Sequence, residues 1–135
     1  MEGGSRGILA FVYLDTHIAA DLYHGIVEDL TIQARKHIES NELLIGPMVL
    51  LELGYLHQRK WVLAEPARML AALNTTFGVN LCQIPFAAVV GQALEIQWTN
   101  DPFDRLIVAQ AKANQNSKLI TRDRLIRKHY PGAVW

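Results

Sequence analysis

Short, unbroken apolar runs recur along this chain with helical stretches between them, and that alternation constrains the fold more than any other feature. The runs are "ILAFVYL" (9–14 and flanks), "NELLIGP" (41–47), "VNLCQIP" (79–85), "SKLIT" and the terminal "GAVW". Each is too short for a stable helix and apolar at nearly every position, as a strand buried on both faces is. Between them the spacing is helical. "THIAADLYHG" can stop at Gly25, and "DLTIQARKHIE" (29–39) repeats apolar residues at Leu30, Ile32, Ala34 and Ile38. "MVLLELGYLHQR" opens at Pro47, and "LAEPARMLAALNTTF" (63–77) carries Pro66 in its first turn, where proline is tolerated. "FAAVVGQALEIQW", "DPFDRLIVAQAKANQ" and "RDRLIRKHY" complete the helices. Parallel strands need such crossovers, so the expected class is α/β: a three-layer α/β/α sandwich around a mostly parallel sheet of about four or five strands.

The chain has 135 residues, half of them apolar, enough for one domain with a real core. We place that domain at residues 9–135, with residues 1–8, which hold "MEGGSRG", as a flexible lead-in. Lys plus Arg and Asp plus Glu are both 13, so bulk charge draws the chain neither to nucleic acid nor to a membrane. No apolar run approaches the ~18 residues of a membrane span. "GILAFVYL" is short for a signal peptide and runs into Asp15 without a cleavage site. The single cysteine, Cys82, lies in apolar "LCQIPF" and reads as a small buried hydrophobe. With no disulfide and no zinc spacing, the expected location is a reducing one, the cytoplasm.

Strand ends are where a parallel sheet builds its sites, and acids stand there. Asp15 ends the first run in "FVYLDTH", and Asp123 follows the fourth in "KLITRDRLI". Taken alone, each is explained as a helix N-cap. Glu52 sits in "MVLLELGYL" among Met48, Val49, Tyr55 and Leu56, a stripe that otherwise reads as buried. Buried charge is rare unless it is paired or bound to metal. In "WTNDPFDRLIVAQAKA", Asp101 fits an N-cap with Pro102 behind it. Asp104 falls near the third helical position and shares a face with Ile107 and Val108. If Asp15, Glu52, Asp104 and Asp123 meet at one end of the sheet, their repulsion demands protonation or a cation. Oxygen ligands without a His/Cys set select a hard ion, Mg²⁺ or Mn²⁺.

"YLDTH", "VLLELGYL", "DPFDRLIVAQA" and "LITRDRLI" together resemble the PIN-domain ribonucleases, above all the VapC-type toxins of bacterial type II toxin–antitoxin pairs. The resemblance runs from about residue 10 to 135, with no diagnostic motif across residues 60–98. It implies a PIN-like fold, and an acidic quartet on Asp15, Glu52, Asp104 and Asp123 that is both catalytic and metal-binding. Asp101 and Thr16 are auxiliary ligands by the same likeness. The activity implied is Mg²⁺- or Mn²⁺-dependent endoribonuclease cleavage, with RNA as substrate, a cognate antitoxin as partner and a homodimer as the assembly.

Arg122, Arg124 and Arg105 are candidate substrate contacts, within a basic cluster that continues through Arg127, Lys128 and His129. Arg59 and Lys60 end the Glu52 helix. A solvated helix face explains these charges equally well. His17 reads as a helix-start residue, and Trp61 and Trp98 as packing or interface residues, with base stacking the alternative. The helices "MVLLELGYL" and "LAEPARMLAALN" carry more apolar surface than a small monomer needs. An aspartyl-phosphate enzyme would need D-x-D after the first strand, and "DTH" lacks it. A phospho-receiver would need a lysine at a strand end, and "KLIT" has it at the wrong one. The remaining alternative is a catalytically silent PIN-like module that binds RNA or protein.

Overall fold

The computed structural model describes residues 10–135, so the lead-in expected at 1–8 lies outside the described residues. The elements run β1 (Phe11–Leu14), α1 (Thr16–Tyr23), α2 (Ile32–Ser40), β2 (Glu42–Ile45), α3 (Pro47–Gln58) and α4 (Pro66–Phe77), then β3 (Asn80–Leu81), α5 (Phe86–Ala93), α6 (Pro102–Ala113), β4 (Lys118–Ile120), α7 (Arg124–His129) and β5 (Ala133–Val134). The strands form one five-stranded sheet in the order β3-β2-β1-β4-β5, and every pair is parallel. This is the expected α/β class.

The central strands are buried because helices cover them. Val12, Tyr13, Leu14, Leu43, Ile45, Leu119 and Ile120 all join the core. The direction of winding reverses between β3 and β4, so crossovers of one hand lay the earlier and later helices on opposite faces. The Tyr13 side chain points to the later set. Its hydroxyl accepts from Asn114 Nδ2 at the end of α6 (2.9 Å) and contacts Cys82 Sγ (2.9 Å). Burial pushes that phenol well above its ordinary pKa. Cys82 is buried, as expected, but it also accepts from Gln110 Nε2 at 3.1 Å. Gln110 lies against Gly46, where an added Cβ would stand 2.8 Å from Gln110 Oε1. Glycine at this N-cap therefore lets the start of α3 close onto α6, and those two helices carry Glu52 and Asp104.

Three boundaries differ from the sequence reading. The helix placed at 29–39 starts at Ile32, capped by Thr31, whose hydroxyl accepts the Ala34 N–H. Ile32 is 78% exposed, while Leu30 is buried outside the helix. The third strand pairs only at Asn80–Leu81, because β3 is an edge strand and Pro85 follows as the N-cap of α5. The helix placed from Phe86 to Trp98 ends at Ala93. Ile96 is buried through a turn, its N–H donating to Ala93 O.

Candidate active site

The acids gather where the topology turns. β1 continues to β2 on one side, and β4 continues to β5 on the other, so a crevice opens beyond their adjacent carboxyl ends. Leu14 pairs with Ile120, which sets Asp15 level with Thr121. The Asp15 N–H donates to Ile120 O at 3.0 Å. Asp15 is 6% exposed and caps α1. Its Oδ1 accepts the Thr16 N–H (2.8 Å) and its Oδ2 accepts the Thr121 hydroxyl (2.6 Å). Burial still outweighs those bonds and raises its pKa.

The same Thr121 hydroxyl accepts the Asp123 N–H at 3.0 Å. Asp123 caps α7, its Oδ1 accepting the Ile126 N–H at 2.9 Å. Thr121 is fully buried and so joins the two strand-end acids. Sequence reasoning passed over it; the signal was a buried-looking strand, "KLIT", that ends on a hydroxyl beside an acid.

Glu52 enters from α3 and is half-buried. The buried Thr16 hydroxyl donates to its Oε1. Burial raises the Glu52 pKa, and the charges of Asp15 and Asp101 add to the rise. Asp101 caps α6, with Oδ1 accepting from the Phe103 and Asp104 amides at 2.8 and 3.2 Å. Asp104 stands in the first turn of α6. Its carboxyl is pushed up to about 7, first by burial and then by the charges of Asp101, Asp123, Asp15 and Glu52. An effect of that kind requires proximity, so these acids from four stretches of sequence share one field. Capping and clustering coexist: Asp15, Asp101 and Asp123 each do both.

His17, in the first turn of α1, is exposed and near enough to act downward on the pKa of both Asp15 and Glu52, against the larger effect of burial. Arg122 donates to Asp21 Oδ2 of α1 at 2.7 Å and lies 5.6 Å from the Trp135 ring, so it braces α1 against the strand end. Arg124, Arg127, Lys128 and His129 are exposed on α7. Trp98 stacks on His129 with centroids 5.0 Å apart. Arg105, expected among the substrate contacts, is bonded within the fold. It faces α5, where Nη2 donates to Ala93 O at 2.9 Å, and its Nε is buried without a partner among the described residues.

Concavities beside α4 and β3 and beneath α2 are lined by none of Asp15, Glu52, Asp101, Asp104 and Asp123. Among the described residues, no three Asp, Glu, His or Cys side chains stand close enough to hold an ion as they are. The donor chemistry nonetheless fits one. The set is all oxygen, its charges are mutually uncompensated, and the Thr16 hydroxyl stands beside it.

The sequence matches the family model of the PIN domain over residues 12–130. It is 32% identical over 133 residues to Ribonuclease VapC22 of Mycobacterium tuberculosis, covering 92% of this chain and 98% of that protein. Its fold is similar to VapBC2 from Rickettsia felis, solved bound to a promoter DNA fragment, with a TM-score of 0.62, 17% identity, and 92% and 96% of the two chains covered. A toxin–antitoxin complex from Klebsiella pneumoniae is likewise similar, with a TM-score of 0.63, 20% identity, and again 92% and 96% covered. The strand order, the acids at the switch point and these likenesses agree: the chain belongs to the PIN-domain family and is of its VapC type.

Proposed function

We propose that this protein is an endoribonuclease dependent on Mg²⁺ or Mn²⁺, acting as the toxin of a type II toxin–antitoxin pair. The observation that carries this reading is the meeting of acids from four stretches of sequence at one end of the sheet, where burial first and the charges of Asp101, Asp123, Asp15 and Glu52 second push the Asp104 carboxyl up to about 7. Such a group is poised to exchange its proton for a cation. Asp15, Asp104 and Asp123 would hold the ion, with Asp101 and Thr16 as auxiliary ligands. A bound divalent ion supplies Lewis-acid polarisation of a phosphate and acidifies water at neutral pH. Thr121 and Thr16 fix the orientation of Asp15 and Glu52. Glu52 would hold a second ion or align the water that attacks phosphorus.

RNA must be drawn to a neutral protein by local charge. Exposed Arg124, Arg127 and Lys128, beside Asp123, supply it and make binding salt-dependent. Arg122 is engaged by Asp21 and contributes through α1. A cognate antitoxin as partner is supported by the named complexes of both fold neighbours. It is supported too by large apolar side chains left on the surface, Leu63 at 85%, Leu94 at 67% and Phe86 at 55% exposed. The homodimer rests on the same surplus. No helix among the described residues is long and apolar enough to cross a membrane.

The test is cleavage of RNA with Mg²⁺ or Mn²⁺ by the wild type, Asp15→Asn and Asp104→Asn. Cleavage by the wild type that both variants lose supports the reading. Equal cleavage by all three removes the metal mechanism, and RNA binding without cleavage by the wild type makes the chain the silent module.

A further inference from the structure

Outward from the acids, α3 carries a stripe of a different kind. Tyr55 and Arg59 follow Glu52 at three and seven positions, so all three lie along one side of the helix. Arg59 stands two turns, roughly 10 Å, from Glu52. The Tyr55 ring meets that of Phe103, the residue before Asp104, at 6.4 Å. The Arg59 guanidinium lies 5.6 Å from the Tyr55 centroid and 4.8 Å from that of Trp61, and its Nη1 donates to the Tyr55 hydroxyl at 3.3 Å. Between Arg59 and Trp61, Lys60 adopts φ 63°, in the left-handed region that a lysine seldom occupies. That turn brings Trp61 back to α3, where its N–H donates to Leu56 O at 2.9 Å. Trp61 is 65% exposed and Tyr55 46%. An indole is thus held on the surface by a strained turn and a cation.

We propose that Tyr55, Arg59 and Trp61 form a stacking platform for the bases of single-stranded RNA, a few nucleotides from the phosphate that is cut. The proposal rests on the nuclease reading above and names how that site holds its substrate. Aromatic faces accept any base, and an adjoining guanidinium adds attraction for both base and phosphate. Arg59 and Lys60 give this end of α3 the charge that the chain as a whole lacks. The Tyr55–Phe103 contact makes the platform continuous with the helix that carries Asp104. Tyr, Trp and Arg also anchor protein interfaces; a direct line to the acids together with positive charge favours RNA, and the protein partner becomes an outcome of the test.

Binding is measured by anisotropy of a fluorescein-labelled, short single-stranded RNA in the Asp104→Asn background, with Mn²⁺ present. Trp61→Ala should weaken binding by roughly 5- to 150-fold, the range for loss of a stacked base, and Trp61→Phe should recover most of it. An abasic nucleotide walked along the RNA should weaken binding at one position for the Trp61-containing protein and at none for Trp61→Ala. Thermal melting checks that the exposed substitution leaves the fold unchanged. Cleavage is followed in parallel with Asp104 intact. Trp61→Ala that binds and cleaves like its parent overturns the platform and leaves the nuclease reading standing. So does a variant that loses only capture of an antitoxin peptide. A wild type that cleaves no RNA overturns the nuclease reading itself.

Discussion

Asp15 and Asp104 lie at the same end of one sheet and feel one another's charge, yet the chain treats them oppositely. Asp15 is satisfied from within. An amide and a buried hydroxyl donate to its two oxygens, and its backbone is tied to the neighbouring strand. Asp104 receives no hydrogen bond to its carboxyl among the described residues, and its surroundings only raise its pKa. The first acid is part of the frame. The second is a charge the fold leaves unresolved, and unresolved charge in a cluster marks where an external ion contributes most.

Exchanging the two residues' fates is the sharpest way to break that contrast. Asp104→Asn should lower RNA cleavage by on the order of 100-fold or more, the scale of losing one group that stabilises developing charge. The metal-free melting temperature should stay level or rise, because a crowded carboxylate has gone. Cleavage assays beside calorimetry in EDTA decide it; a variant that keeps its activity, or that melts much earlier, puts Asp104 in the frame after all. Asp15→Ala should behave the other way in stability. It leaves the Thr121 hydroxyl and the Thr16 amide dry, at about 1–3 kcal/mol for each unsatisfied group, and relief of a buried charge returns part of that. A net loss of about 1–2 kcal/mol in urea denaturation is expected, against under about 0.5 kcal/mol for Asp104→Ala. The reverse ranking would sink the distinction.

Thr121 extends the same contrast. Thr121→Val keeps the shape but removes the hydroxyl shared by Asp15 and Asp123. It should cost about 1 kcal/mol of stability and weaken Mn²⁺ binding by roughly 10-fold, as loss of a supporting hydrogen bond does at metal sites. Thr121→Ser should restore both. Calorimetric titration with Mn²⁺ that finds no change in affinity would confine Thr121 to packing.

What the sequence made legible follows from where local and global demands coincide. Asp15 and Asp123 were readable because a buried parallel strand must end abruptly, and an acid there stands out against apolar neighbours. Glu52 stood out for the same reason within α3. Thr121 did not, because a threonine at a strand end is unremarkable until its partners are known. Arg105 follows Asp104 directly, yet successive helix residues point about 100° apart, so it turned toward α5 and away from the site. The overlong third strand and the overlong α5 share another cause. Cys82 is buried just past β3, its N–H still donating to Ile45 O, and Ile96 is buried by a turn after α5; apolar periodicity cannot distinguish such flanking residues from regular elements. The Arg59–Trp61 stack depends on the left-handed turn at Lys60, which no local preference of lysine announces.

The smallest expected effect is in pH dependence. The Asp104 carboxyl titrates at an ordinary 3.8 when free of the fold and at about 7 within it. Between those values the folded chain holds the proton that the unfolded chain has released, so stability falls as pH rises. The contribution is fully present below about pH 4 and is lost as pH passes through 7. Partial exposure of the group screens the effect, leaving about 1 kcal/mol. In EDTA, the stability difference between wild type and Asp104→Asn should therefore move against the wild type by that amount from pH 5 to pH 8. Urea denaturation at intervals across that range measures it. Saturating Mn²⁺ should flatten or reverse the trend, because the cation then does for the carboxylate what the proton did. A difference that stays constant with pH in EDTA would mean that solvent already relieves Asp104, and that its contrast with Asp15 is one of hydrogen bonding alone.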